Sequence, residues 1–356
     1  MKRIVFPLLA ATIAVALFAG LAPRGASSAQ QADLRADVDL VSVYFTVRDK
    51  RDQLVTDLTK DAFKVLEDGR QQEIRFFAHH TDLPLNVGVL LDTSTGLART
   101  LGLEADAASR FFRTVMQPND QGFLMSYASR IEVLQVPTDD VDRLSTKAQG
   151  IRSYARIFDV SPRQPVPQTS TLPSRFPWPL PTTPPSPTPD PMNLRVARLY
   201  DTVESSVDRF LSREPGRKAL VIAALADDAG SESSLRKALR SLKENDVIAY
   251  VLQVQHAQPR GRERDDCDIR HIFGSGDENR IARLAVETGG RVIRVEGFEK
   301  MQSAFEQIAD ELHHQYSLAY RPPNQNWDGA FRKVNIQAAK GYKIAARDGY
   351  YAKPRK

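Results

Sequence analysis

Between residues 36 and 80 apolar and polar side chains alternate along the chain, as in DVDLVSVYFTVRD, and a period of two predicts strands rather than helices. A charged turn, Asp49 to Asp52, closes the first of them. Farther on, Asp68-Gly69 stands between FKVLE and QEIRFF as a hairpin signal. The segment reads as a small antiparallel β unit without helical crossovers.

From residue 86 the pattern changes. NVGVLLD is a short, wholly apolar run of the buried-strand type, LEADAASRFFRTVM has helical spacing, and QGFLMSYAS and RIEVLQV read as strands. After a proline-rich interruption the alternation resumes with the helix LYDTVESSVDRFLS, the buried strand KALVIAALAD and the amphipathic helix SSLRKALRSLKEN. VIAYVLQVQ, the helix NRIARLAVETGG with its terminal glycines, RVIRVE and the helix FEKMQSAFEQIADELHHQ complete it. Strands separated by helices of this length imply βαβ units, so the expected fold class is α/β: a doubly wound, mainly parallel sheet of Rossmann type with helices on both faces. Beyond Gln315, QYSLAYRPP, FRKVNIQAA and YKIAARDGYY return to strand patterns.

Neither terminal β segment has enough strands to bury a face alone. We therefore expect the halves at 30–83 and 316–356 to pair into one β-sandwich-like domain, with the α/β domain at 84–315 inserted between them. Two separate extensions packed on the α/β domain are the alternative. Residues 161–192 hold 12 of the 22 prolines, too many for a helix or central strand, and read as a disordered, partly polyproline-II insertion. Phe176 and Trp178 within it would be the anchors of a docking peptide, and a plain solvated loop is the simpler reading.

The 356 residues leave room for two domains, and 42% hydrophobic content supplies cores for both, which excludes wholesale disorder. Lys2 and Arg3 precede the uncharged apolar stretch at residues 4–21, and Ser27-Ser28-Ala29 offers small side chains to a signal peptidase. Residues 1–29 are therefore expected to be a cleaved signal peptide, which makes the protein exported, periplasmic or extracellular, with no membrane span after cleavage. An uncleaved anchor is the alternative, disfavoured by Pro7, Gly20 and the small residues. A single cysteine, Cys267, forbids an internal disulfide. Removing the leader lowers the net charge from +5 to +2, and the eight basic residues at 331–356 leave an acidic remainder, so the charge supports no nucleic-acid role.

Ligands of open parallel sheets sit at the carboxyl ends of strands beside the switch in strand order. Those ends carry Asp92-Thr93-Ser94-Thr95-Gly96 and Asp227-Asp228, an oxygen-rich set of the kind hard divalent cations prefer. Helix capping and loop hydrogen bonding are the plain structural alternative for the same carboxylates. The element order and DTSTG resemble a von Willebrand factor A domain with its metal-ion-dependent adhesion site, Asp-x-Ser-x-Ser plus a Thr and an Asp on later loops. More narrowly, DAFKVLEDGRQQEIRFF, LYDTV, GRKALVIAALADD, LAVETGGRVIRV and IADELHHQYSLAYRPPNQNWDGAFRKVNIQAAKGYKIAARDGYY resemble the VWFA-related acidobacterial family of exported proteins, over residues 36–352 apart from the proline-rich loop.

The resemblance implies metal ligands at Asp92, Ser94 and Asp227, but Gly96 stands where a second serine belongs and Ala197 where a threonine belongs. Neither supplies a hydroxyl, so the expected site is degenerate, with at most weak Mg²⁺ or Mn²⁺ binding. The expected function is a non-enzymatic protein-binding, adhesion-type module for an unknown partner in the envelope or outside the cell. Its rim would be formed by Thr93, Thr95, Asp201 and Asp228. A Mg²⁺-dependent phosphohydrolase using Asp92 and a structural envelope assembly factor are the alternatives. Such a hydrolase usually has a second acid two positions on, where this chain has Ser94. His79-His80, His313-His314, Cys267 with His271, and the Gly274–Gly276 turn are weaker candidates.

Overall fold

The computed structural model describes residues 40–79, 83–94, 98–157, 197–224, 228–255, 278–297 and 300–353. The leader, the proline-rich insertion and the Cys267–His271 segment lie outside the described residues, as do Thr95, Gly96 and Asp227.

Six strands form a central sheet in the order β10-β9-β8-β5-β6-β7. They are β5 (Leu85–Asp92), β6 (Gln121–Tyr127), β7 (Ile131–Thr138), β8 (Arg217–Ala224), β9 (Val247–Gln255) and β10 (Val292–Glu296). All neighbours run parallel except β6 and β7, which a short turn joins antiparallel. Each residue of β5 is buried, as the unbroken apolar run requires of a strand covered on both faces. Val87, Val89 and Leu91 enter one core, with α1 (Ala98–Val115), α2 (Val141–Ile157) and α6 (Met301–His313). Leu90 enters the other, with α3 (Leu199–Ser206), α4 (Leu235–Glu244) and α5 (Glu278–Val286). No helix among the described residues is long and apolar enough to cross a membrane.

Two four-stranded sheets combine strands from both ends of the described chain. In one, β1 (Val41–Arg48) lies antiparallel between β11 (Tyr316–Tyr320) and β13 (Lys343–Ala346), and β11 also takes β4 (Ile74–His79). In the other, β12 (Phe331–Ala338) pairs with β2 (Phe63–Glu67) and β14 (Gly349–Tyr351), and β2 pairs with β3 (Arg70–Gln72). Asp68 and Gly69 have φ of 48° and 82°, the doubly positive pair that a tight β2-β3 hairpin demands. Val43, Phe45, Val65, Leu318, Tyr320, Val334 and Ile336 share one core between these sheets. At its centre the Glu67 carboxylate accepts the phenols of Tyr320 (2.8 Å) and Tyr350 (3.1 Å).

Buried charge joins these sheets to the α/β layer. Glu311 of α6 meets Arg48 of β1 and Arg291 ahead of β10, each at 2.6 Å from the same carboxylate oxygen. Lys243 of α4 reaches both Glu287 and Asp348. Three local patterns differ from the sequence reading. QEIRFF and YKIAARDGYY each divide between the two outer sheets, and α2 forms where no helix was expected. The split follows burial: Ile74 and Tyr350 both turn into the shared core, and one straight strand could not supply both sheets.

Candidate functional site

Strand order reverses beside β5: the chain passes from β5 to β6 on one side and later places β8 on the other. The carboxyl ends of β5 and β8 therefore flank the crevice where doubly wound sheets bind ligands. Asp92 is the last residue of β5, directly opposite Tyr127 of β6, and is fully buried. The Thr93 amide donates to the Tyr127 carbonyl (2.9 Å) and the Ser94 amide to the Asp92 carboxylate (2.9 Å), so the chain folds back over its own aspartate. Ser94 is buried, and its hydroxyl oxygen has no hydrogen-bond partner.

The opposite wall is stitched from two loops. The Ala197 carbonyl accepts the amides of Ala229 and Gly230, and the Arg198 amide donates to Ala128. Asp228 accepts the Tyr200 amide (3.1 Å) and the Ser231 hydroxyl (2.5 Å), capping α3 from a distant loop. Asp201 accepts the amides of Ser233 (2.8 Å) and Glu232 (3.1 Å) and the guanidinium of Arg198 (2.9 Å). Burial pushes the Asp201 pKa up, but those amides and Arg198 outweigh it and hold the carboxyl below its ordinary value. Both Asp201 oxygens and one Asp228 oxygen thus brace the loops. Thr93 is half-buried and donates its hydroxyl to the Tyr127 carbonyl (3.3 Å).

One residue absent from the sequence expectation joins this site. Glu104 of α1 is completely buried, and neither carboxylate oxygen has a hydrogen-bond partner. Burial, then the charge of Asp92, pushes its pKa well above the ordinary carboxylate value. Tyr127 is raised in the same way by burial and by the charges of Asp92, Glu104 and Asp228, so three carboxylates act on one phenol. That phenol donates to the Ala223 carbonyl of β8 (3.1 Å), spanning β5. The sequence signal was a glutamate three residues after Leu101 and four before Ala108, inside the apolar face of α1.

Among the described residues no group of three or more His, Cys, Asp or Glu is placed to hold a metal ion. The donors available here are two carboxylates and a hydroxyl, all oxygen, which fit a hard cation better than a soft one. His79 is tilted against Tyr316 at 4.6 Å and stacks at 6.4 Å with His314, so the two histidine pairs approach each other through one ring each. A cavity of about 190 Å³ adjoins the rim, lined by Tyr200, Asp228, Ser233 and Arg280 among others. A larger one of about 550 Å³ lies at the opposite, amino-terminal ends of β8 and β9, against Lys218, Val247 and Arg347. The switch-point rim is the better functional candidate despite its smaller cavity, because it lies at the carboxyl ends of the strands where the order reverses.

No protein-family model and no curated protein matches the chain. Solved structures similar to it include a von Willebrand factor type A protein from Catenulispora acidiphila, 10% identical over 88% of this chain and 73% of that one, with a TM-score of 0.41. Proximal thread matrix protein 1 from the mussel byssus is 11% identical over 66% of this chain, with a TM-score of 0.40, and the match spans 49% of the mussel chain. The same mussel protein has been solved with a zinc-occupied adhesion-site motif. BatB from Bacteroides thetaiotaomicron is 16% identical over 64% of this chain and 97% of its own, with a TM-score of 0.38. Likenesses this loose carry no weight for function.

Proposed function

We propose that this chain is an exported, non-enzymatic protein-binding module of the von Willebrand factor A type, akin to the VWFA-related acidobacterial proteins its sequence resembles. Its α/β part, residues 84–315, would be inserted in a β-sandwich-like domain made from residues 30–83 and 316–356. The observation that carries the reading is the rim at the switch point. Asp201 and Asp228 are committed to holding the two loops in one arrangement, which preorganises a surface for a partner. The metal-mediated grip that the resemblance implies is degenerate here: Gly96 and Ala197 bring no hydroxyl, and Asp92 is fully buried.

The test is capture from a native envelope fraction with the wild-type chain and with Thr93→Arg and Glu232→Arg, two changes on the accessible rim. A specific partner retained by wild type and lost by both variants is expected. Equal capture by all three, or metal-dependent turnover of a generic phosphate ester abolished by Asp92→Asn, would replace this reading. Trimming residues 163–190 in the same assay asks whether the proline-rich insertion belongs to the contact surface, and unchanged capture assigns it no part.

A further inference from the structure

We propose that the cavity of about 550 Å³ at the amino-terminal ends of β8 and β9 binds a small monocarboxylate with an apolar or aromatic body, and that Lys218 is its charge partner. The volume falls within the range of small-molecule sites, about 300–1,000 Å³. Its wall draws on every layer of the fold: Val41 and Tyr44 of β1, Lys218 of β8, Val247 of β9, Leu242 of α4 and Tyr351 of β14. An occupant therefore touches the α/β layer and both outer sheets at once.

Lys218 is the unmatched charge in that wall. The other basic side chains there already have acids: Lys243 meets Glu287 at 2.7 Å and Asp348 at 2.9 Å, Arg347 meets Asp246, and Lys353 lies 3.8 Å from Glu244. Lys218 is half-buried, and among the described residues its ammonium has neither a hydrogen bond nor a carboxylate at ion-pair distance. Burial lowers its pKa and Lys353 adds to that, while Asp246 and Glu214 act the other way without restoring it. A charge drawn out of water without a partner is one that a native structure tends to match. Tyr44, also half-buried in the wall, makes no side-chain hydrogen bond among the described residues, and burial raises its pKa, which keeps the phenol protonated as a donor.

The charges in the wall fix the class of anion. Glu214, Glu244 and Asp246 also line the cavity, so a phosphate or dicarboxylate would bring two negative charges against a single unpaired cation. One carboxylate matches one ammonium. Val41, Leu242 and Val247, with Tyr351 and Trp327, offer its body apolar and aromatic contact. The wall is set before any ligand arrives. The Asn86 side-chain amide donates to the Pro215 carbonyl (2.9 Å), the Arg217 amide to the Pro84 carbonyl (2.9 Å) and the Arg347 guanidinium to the Ser42 carbonyl (2.6 Å).

The experiment is calorimetric titration of the full chain with phenylacetate, octanoate and, as the uncharged control, phenylacetamide, together with melting curves. Wild type is expected to bind one carboxylate per chain, to melt higher with it, and to bind the amide about tenfold or more weakly. Lys218→Met keeps the side-chain length and removes the charge; it is expected to weaken carboxylate binding by about tenfold or more and to leave affinity for the amide unchanged. If that variant does not fold, acetylation of wild-type lysines by an N-hydroxysuccinimide ester replaces it. Phenylacetate is then expected to slow modification of Lys218 and not of Lys300, which is exposed and outside the cavity, and equal slowing or none overturns the proposal. So does wild type that binds neither carboxylate at millimolar concentration, equal affinity for the amide, or retained carboxylate affinity in Lys218→Met. The cavity and the rim lie at opposite ends of the sheet, so each of these failures leaves the proposed function standing.

Discussion

Glu311→Gln tests what couples the outer sheets to the α/β layer. One oxygen of Glu311, whose side chain is 1% exposed, lies 2.6 Å from the guanidinium groups of Arg48 and Arg291. Removing one partner from a buried ion pair costs about 3–5 kcal/mol. Glutamine keeps an acceptor oxygen for one guanidinium, and a hydrogen bond to a charged group recovers about 1.5 kcal/mol. The net loss expected is therefore about 1.5–3.5 kcal/mol, which at about 2–4 °C per kcal/mol lowers the melting temperature by about 3–14 °C. Urea denaturation gives the free energy, and a double-mutant cycle with Arg48→Gln isolates the contact across the two layers. Because the carboxylate is buried, the loss should persist in high salt, unlike that of a surface pair. A change below about 0.5 kcal/mol, within the range of ordinary surface substitutions, would falsify the claim that this oxygen joins the layers.

Three further outcomes are expected. Glu67 has its pKa raised, first by burial and only partly countered by the Tyr320 and Tyr350 phenols. The folded state therefore holds that proton more tightly than the unfolded chain, so stability falls as pH rises from the ordinary value of 4.5 through the raised one; Glu67→Gln should flatten that stretch of a urea-stability profile. In Gly290→Ala the new Cβ would stand 1.9 Å from the Ala249 carbonyl oxygen, a backbone atom that cannot swing aside, and a loss above about 3 kcal/mol or outright insolubility is expected. An isolated fragment of residues 30–83 should show little β structure by circular dichroism, since β1, β2 and β4 all take partners from β11 to β13, and a cooperative melt from that fragment would count against the pairing.

Much of the secondary structure is legible because burial imposes a period. β5 is apolar throughout and proves covered on both faces, and β12 alternates strictly and proves half-exposed. The helix at Val141–Ile157 escaped because few large apolar side chains mark its face: Leu144, Ala148 and Ile151 lie four and three residues apart among polar neighbours. Its contribution comes from packing against α1 rather than from a strong stripe of its own.

By itself, the sequence determined most of the strands and helices, that Asp92 ends a buried strand, and that Gly96 and Ala197 withhold two hydroxyls. Those properties are local, set by side-chain chemistry and by periods of two and 3.6 residues. Tertiary structure decided the rest. It committed Asp201 and Asp228 to bracing loops, where the sequence placed them on the rim of a contact face. It also buried Glu104 beside Asp92, twelve residues away along the chain and within reach of its charge. A carboxylate's role depends on what surrounds it after folding, because burial and neighbouring charge, rather than residue type, set whether it is a solvated surface group, a loop anchor or a buried acid with a raised pKa.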